Sequence, residues 1–269
     1  MGARPEYVHR YSGRERERLA DQADTLVELL HSDTFYPAGS EVLEVGCGVG
    51  AQTVTLASRS PEATIIAMDI SEDSLTAAQE SVRSAGFRNV VFQRADVYSM
   101  TFAPDAFDHV FVCFVLEHLI RPHEALARLT EVLKPGGTIT VIEGDHGSAY
   151  FHPDSPYARK AIQCLIELQA RAGGDSLIGR RLYPLLLESG FRNVRVSPRM
   201  VYVDSSRPRL VDGFTKKTFT AMVEGVREPA LAAGLIDVET WDRGIRDLYR
   251  TSEADGTFCY AFFKAVATK

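Results

Sequence analysis

The sequence predicts an α/β fold: a doubly wound, mainly parallel seven-stranded sheet, preceded by an N-terminal helix and interrupted late by a helical insertion. Three observations carry this. From residue 41 to residue 143, short apolar stretches alternate with amphipathic helical patterns. Those stretches are apolar at successive positions rather than at every second one, as strands buried on both faces are. The first of them ends in a glycine-rich turn that opens a helix, the arrangement at the head of a doubly wound sheet.

Residues 14–31 are read as the N-terminal helix, because Leu19, Ala23, Leu26 and Leu30 recur at helical spacing and turn one stripe inward. Phe35-Tyr36-Pro37-Ala38-Gly39 ends it. Glu41–Val45 is the first strand and Gln52–Ser58 the helix after its turn. Thr64–Met68 is the second strand and Ser71–Ala85 the second helix, with Ser71 suited to cap it and Glu72 and Asp73 in its first turn. Val90–Arg94 and Phe107–Phe114 are the third and fourth strands, and Asp108 stands near the start of the fourth. Pro122–Leu133 is a helix closed by Lys134-Pro135-Gly136-Gly137, and Thr138–Glu143 is the fifth strand. Beyond it, Pro156–Ala172 and Arg180–Ser189 read as helices and Val194–Val203 as a strand. Arg209–Ala233 and Val238–Tyr249 read as helices, and Thr257–Ala267 as a last strand rich in aromatics. The stretch 205–254 is about fifty residues, too long for an ordinary connection between strands, and is read as a cap over the site rather than an independent domain.

The 269 residues are 45% hydrophobic and 25% charged, the balance of a soluble globular chain. The net charge of -6 argues against a broad phosphate-tracking surface, so no nucleic-acid partner is expected. Cys47, Cys113, Cys164 and Cys259 form no CxxC pair; they read as reduced, buried thiols, neither a zinc site nor a disulfide framework, and no metal is expected. No apolar run approaches the ~18 residues that span a bilayer, and the first ten residues lack the apolar region of a signal peptide. A cytoplasmic protein is expected. The helix at 14–31 and the insertion each offer a surface for homo-oligomer formation.

Val42-Leu43-Glu44-Val45-Gly46-Cys47-Gly48-Val49-Gly50 is the strongest local signal. Glycines let the backbone turn sharply and approach a ligand, but nicotinamide and flavin proteins use similar turns. Spacing narrows the choice. Asp69 closes the second strand about 20 residues beyond the turn, where an acid accepts two ribose hydroxyls. Asp96, in Arg94-Ala95-Asp96-Val97, follows the third strand, where an acid can accept a hydrogen bond from an exocyclic adenine amine.

VLEVGCGVG, AMDIS, RADV, FDHVFVCFVLEHL and LKPGGTITVIE stand in the order seen in class I S-adenosylmethionine-dependent methyltransferases. Over roughly residues 40–145, and more loosely over the strand after Gly190-Phe191, the chain resembles that Rossmann-like family. It is similar above all to its small-molecule group, which includes the ubiquinone and menaquinone biosynthesis enzymes. The resemblance implies S-adenosyl-L-methionine as cofactor. Gly46, Gly48 and Gly50 would line its methionine part, and Glu44 would orient the loop or reach the amino group through water. Gln52 and Thr53 would open a helix whose free amides favour the carboxylate. Asp69 would bind the ribose, Ile70 would pack on the adenine, Asp96 and Val97 would hold the adenine amine, and Phe114 would sit beneath the sulfonium. The implied organisation is a lid and helix at 1–39, a cofactor-binding core at 40–204, the helical cap at 205–254 and a final core strand at 255–269.

If the acceptor is a hydroxyl or an activated carbon, a base must take a proton. His146, after the fifth strand, and Tyr11, in a segment that often closes over the cofactor in this fold, are the catalytic candidates. Tyr11, His118, His146, Phe151 and Phe214 are the candidate acceptor contacts, since an aromatic-walled pocket suits a hydrophobic or aromatic small molecule. A protein or RNA methyltransferase is disfavoured by the acidic charge and by Phe114-Val115-Leu116-Glu117 standing where an amide-gripping Asn-Pro-Pro-Tyr motif would be. A non-catalytic scaffold is disfavoured by the intact glycine turn and both acids. A nicotinamide dehydrogenase is disfavoured because Ala51-Gln52 follows Gly50, departing from the dinucleotide fingerprint.

Overall fold

The computed structural model describes residues 25–269. Residues 25–31 are helical (α1) and bury Leu26 and Leu30, part of the inward stripe the spacing predicts. The alternation then follows: β1 (Glu41–Val45), α2 (Ala51–Arg59), β2 (Thr64–Asp69), α3 (Glu72–Ser84), β3 (Val90–Arg94), β4 (Phe107–Cys113), α4 (Pro122–Val132) and β5 (Leu133–Gly144). These five strands are parallel, in the order β3-β2-β1-β4-β5. Ser71 caps α3 by accepting the Ser74 N–H, as its position suggests.

Then come β6 (Tyr150–His152), α5 (Pro156–Arg171), α6 (Leu182–Glu188) and β7 (Arg192–Val203). The insertion holds α7 (Pro208–Leu210), a π-helical stretch (Val211–Thr220), α8 (Ala221–Glu224), α9 (Arg227–Ala232) and α10 (Val238–Arg250), and β8 (Thr257–Thr268) follows. β8 runs antiparallel between β5 and β7. β5 pairs with its Phe262–Thr268 portion and β6 with Thr257–Cys259.

Three details differ from expectation. The sheet has eight strands, because β6, three residues long, is too short to show a pattern of its own. Leu133–Gly137 is not a turn outside the sheet: Leu133 pairs with Phe107, and the register shifts before His109 meets Thr138. A Cβ at Gly137 would lie 2.8 Å from the Asp108 carbonyl oxygen, so only glycine lets the backbones approach there, and Lys134 Nζ reaches Asp108 Oδ1 at 2.8 Å. The single helix expected over 209–233 is divided into a π-helical stretch, α8 and α9, with Gly225 after α8. A spacing averaged over that length does not reveal a local widening of the helix.

One core cluster joins α1 (Leu26, Leu30), the sheet (Val42, Phe111, Ile142, Tyr260) and the insertion (Phe214, Phe219, Trp241). A second lies on the opposite face beneath α4 and α6. Lys264 of β8 closes α1: its Nζ donates to the Leu30 carbonyl (3.3 Å), Asp33 Oδ1 (2.6 Å) and Thr34 Oγ1 (2.5 Å). Burial holds the Lys264 ammonium below its ordinary range, opposed by the Asp33 carboxylate.

Candidate active site

The carboxyl ends of β1, β2 and β4 meet where the strand order reverses, the place where open α/β sheets bind ligands. Gly46 (φ 68°) and Gly50 (φ 83°) are both left-handed and both tightly packed. A Cβ on Gly46 would stand 2.6 Å from Val115 Cγ2, and one on Gly50 2.9 Å from Ala78 Cα in α3. A Cβ on Gly48 between them would meet nothing within 4 Å, so the middle of the loop is an open cradle. The Gly48 N–H donates to Asp69 Oδ2 (2.9 Å) and the Ser71 N–H to Asp69 Oδ1 (2.9 Å). Asp69 is therefore fixed between the two loops. Beside it Ile70 is 48% exposed, an aliphatic surface left bare. Asp96 is half-buried and its Oδ1 accepts the Tyr98 N–H at 2.9 Å, while Val97 is buried behind it.

Glu44 is buried beneath the loop. Among the described residues its Oε2 has no hydrogen-bond partner, nor has Gln52 Oε1 at the start of α2. Burial, with the Asp69 charge adding, lifts the Glu44 carboxyl to about 8. An unfolded Glu ionises near ~4.3, so as pH rises from there to about 8 the unfolded state alone releases this proton and the folded state loses relative stability. Glu44→Gln has no proton to release. Its unfolding free energy in urea, relative to wild type, is expected to improve from about pH 5 to about pH 8 and to level off above. A difference constant with pH would refute the buried, protonated acid.

These features fit S-adenosylmethionine. An open glycine cradle at a helix start suits an amino-acid end, a fixed carboxylate suits ribose hydroxyls, and a bare aliphatic side chain suits a purine face. Bound there, the cofactor supplies an activated, electrophilic methyl group.

On the other side of β4, Phe114 leaves the strand with φ 56°, a conformation sparsely used by bulky residues. Its N–H donates to the Ile142 carbonyl (2.9 Å) and its ring meets Phe262 at 5.6 Å. The turn that follows is held from β5: Glu143 Oε1 accepts the N–H groups of Val115 (3.0 Å) and Leu116 (2.7 Å). Burial, followed by the Glu117 carboxylate, keeps Glu143 well above the usual carboxyl range. His118 ends this turn with Nε2 3.5 Å from Glu117 Oε1.

After β5, Asp145 accepts Arg180 Nε (2.6 Å) and Nη2 (2.7 Å), and His146 is buried with Nδ1 2.8 Å from the Tyr260 hydroxyl. Phe214 lies 5.8 Å from the Tyr260 ring, Phe219 5.5 Å from it, and Phe262 4.7 Å. The structure thus gathers His146 and Phe214 around Tyr260. Phe151 instead stacks on Phe258 at 6.2 Å, one ring farther out. Tyr11 lies outside the described residues. Tyr260 is the residue sequence reasoning missed, although Phe258, Tyr260 and Phe262 alternate along β8 and so share a face. An open cleft on the insertion, bounded by Glu224, Arg227 and Trp241, shares no residue with this site.

Comparison with known proteins bears on the cradle. The family model described as a methyltransferase domain matches residues 42–137, from β1 into β5. These residues are a class I S-adenosylmethionine-dependent methyltransferase domain. Its similarity extends to Methyltransferase GfsG of Streptomyces halstedii, 32% identical over 46% of this chain and 45% of that protein. The demethylmenaquinone methyltransferase of Clavibacter sepedonicus is 36% identical over 52% of each chain. The chain thus spans about half the length of these curated relatives. Among solved structures, Haemonchus contortus phosphoethanolamine N-methyltransferase 2, with S-adenosylhomocysteine bound, aligns with TM-score 0.56 and 18% identity over 93% of this chain and 53% of that one. The [4+2]-cyclase SpnF aligns with TM-score 0.56 and 20% identity over 93% and 80%. Both likenesses are of fold. The methyltransferase domain contains Glu44, the glycine cradle, Asp69, Asp96 and Phe114, while His146 and Tyr260 lie beyond it. No helix among the described residues is long and apolar enough to cross a membrane.

Proposed function

We propose that the chain transfers the methyl group of S-adenosylmethionine to a small hydrophobic or aromatic metabolite. The observation that supports this is the adjacency, across Phe114, of an open cofactor cradle and a ring-lined edge carrying His146. In this reading Gly46, Gly48, Gly50, Glu44 and the α2 start at Gln52 hold the methionine end. Asp69 holds the ribose, and Ile70, Asp96 and Val97 hold the adenine. Phe114 stands between cofactor and acceptor, with His146, His118, Phe214 and Phe151 on the acceptor side and Tyr11 closing over it. Residues 40–204 form the cofactor-binding core, completed by the strand at 255–269, and 205–254 the cap.

Methyl displacement requires nucleophile, methyl and sulfur in line, so alignment and exclusion of water supply most of the acceleration. The packed rings of Phe214, Phe219 and Phe262 do the excluding. The reading covers transfer to oxygen, nitrogen or carbon of such a metabolite. Four free cysteines suit the reducing cytoplasm, and the acidic charge suits a small-molecule rather than a nucleic-acid partner.

Titration calorimetry with S-adenosylmethionine, with NADH as control, tests the reading. Micromolar binding of the first alone is expected, followed by methyl transfer to a lipophilic hydroxyarene in a screen. Binding of NADH, or of neither, would overturn it.

A further inference from the structure

On either side of the glycine turn, buried oxygens lack a donor. Glu44 is 2% exposed, yet among the described residues its Oε2 has no hydrogen-bond partner, and the same holds for Gln52 Oε1 and Thr53 Oγ1 in the first turn of α2. The Thr53 hydroxyl stands near enough to Glu44 to favour its charge but completes no bond with it. A buried ion without a partner is costly, and the surroundings of Glu44 make it costlier. The Asp69 charge faces it from β2. Tyr36 ahead of β1, Cys47 in the turn and Cys113 of β4 also face it, and burial keeps all three protonated. Among the described residues no cation acts on Glu44: the Lys264 and Arg59 charges fall on His31 instead, which adjoins Gln52 and which burial, followed by Lys264, lowers to about 4 and so keeps neutral. What is missing is a donor that carries positive charge. The ammonium at the methionine end of S-adenosylmethionine is one.

We infer that Glu44 is protonated in the free protein and surrenders that proton when S-adenosylmethionine enters the cradle, so that cofactor binding releases a proton to solvent and weakens as the pH falls. The O–H bond of the Glu44 carboxyl breaks, its electron pair stays on the carboxylate, and the proton leaves to the buffer. A neutral acid and a cationic ligand end thereby become an ion pair. Opposite charge within ~4–6 Å favours an ionised carboxyl by roughly 10- to 1000-fold. The free protein is spared a buried, unpaired charge, and the charge forms only together with its counter-ion. Glu44 thus makes the cradle selective for a ligand end that bears a cation. The identity of that ligand rests on the methyltransferase reading.

The test is calorimetric titration of the whole chain with S-adenosylmethionine near neutral pH in phosphate, Hepes and Tris, whose ionisation enthalpies differ, so that the dependence of the heat on buffer counts the protons released. With the free Glu44 carboxyl at about 8, the range above corresponds to release of about 0.4–0.9 proton per site one pH unit lower, and to a dissociation constant about two- to eightfold weaker after a further unit of acidification. Glu44→Gln keeps the shape of the side chain but has no proton to give, and is expected to lose both effects; comparing the two proteins in the same buffers also cancels the titration of the ligand's own amine. The cofactor-induced infrared difference spectrum of the wild type needs no variant: a protonated-carboxyl band should disappear as a carboxylate band grows. Binding without proton release, release undiminished in Glu44→Gln, or a difference spectrum without loss of the carboxyl band would overturn the inference and leave the methyltransferase reading standing. Absence of binding would overturn both.

Discussion

Replacing Asp69 with Ala is expected to weaken S-adenosylmethionine binding at least about a hundredfold, measured by titration calorimetry. Two hydroxyl hydrogen bonds to a carboxylate contribute about 1.5–3 kcal/mol each, and about 1.4 kcal/mol is a factor of ten. The same carboxylate accepts the Gly48 and Ser71 amides, so the cradle loosens before any ligand arrives. Asp69→Asn retains one acceptor oxygen and should fall between wild type and Ala. Affinity within threefold of wild type in Asp69→Ala would mean the ribose sits elsewhere and would sink the site as assigned.

Trp241→Ala is expected to cost about 3–5 kcal/mol of stability, as emptied sites of large buried aromatics do. Trp241 is 1% exposed in α10, yet it shares one core cluster with Val42 and Phe111 of the sheet and Leu26 of α1. The insertion and the sheet should therefore unfold together. Scanning calorimetry should show a single transition in both proteins, lowered in the variant. A separate low-temperature transition, or a loss below about 1 kcal/mol, would mean that the insertion folds as a unit of its own.

What the sequence displays and what it conceals follow from range. β1, β2 and β4 are legible because burial on both faces leaves mainly apolar runs, and Asp69 and Asp96 because the fold places strand ends at regular intervals. The glycine cradle is legible because left-handed backbone selects glycine at Gly46, Gly48 and Gly50. β6 is concealed because three residues carry no period, and the widened helix at 211–220 because its side chains still turn an apolar face inward. The bond between His146 and Tyr260 is concealed because nothing local demands it. It exists only because β8 enters the sheet between β5 and β7.

That placement of β8 gives the two halves of the site different assembly histories. The cradle closes by contacts such as Gly48 to Asp69, 21 residues apart, whereas His146 and Tyr260 are 114 apart. Joining the more distant pair costs about 1.5 kcal/mol more chain entropy, and distant strand pairing is slow. By this reckoning the Gly48–Asp69 contact is expected to form before the His146–Tyr260 pair, which waits until the insertion has looped out and β8 has paired with β5.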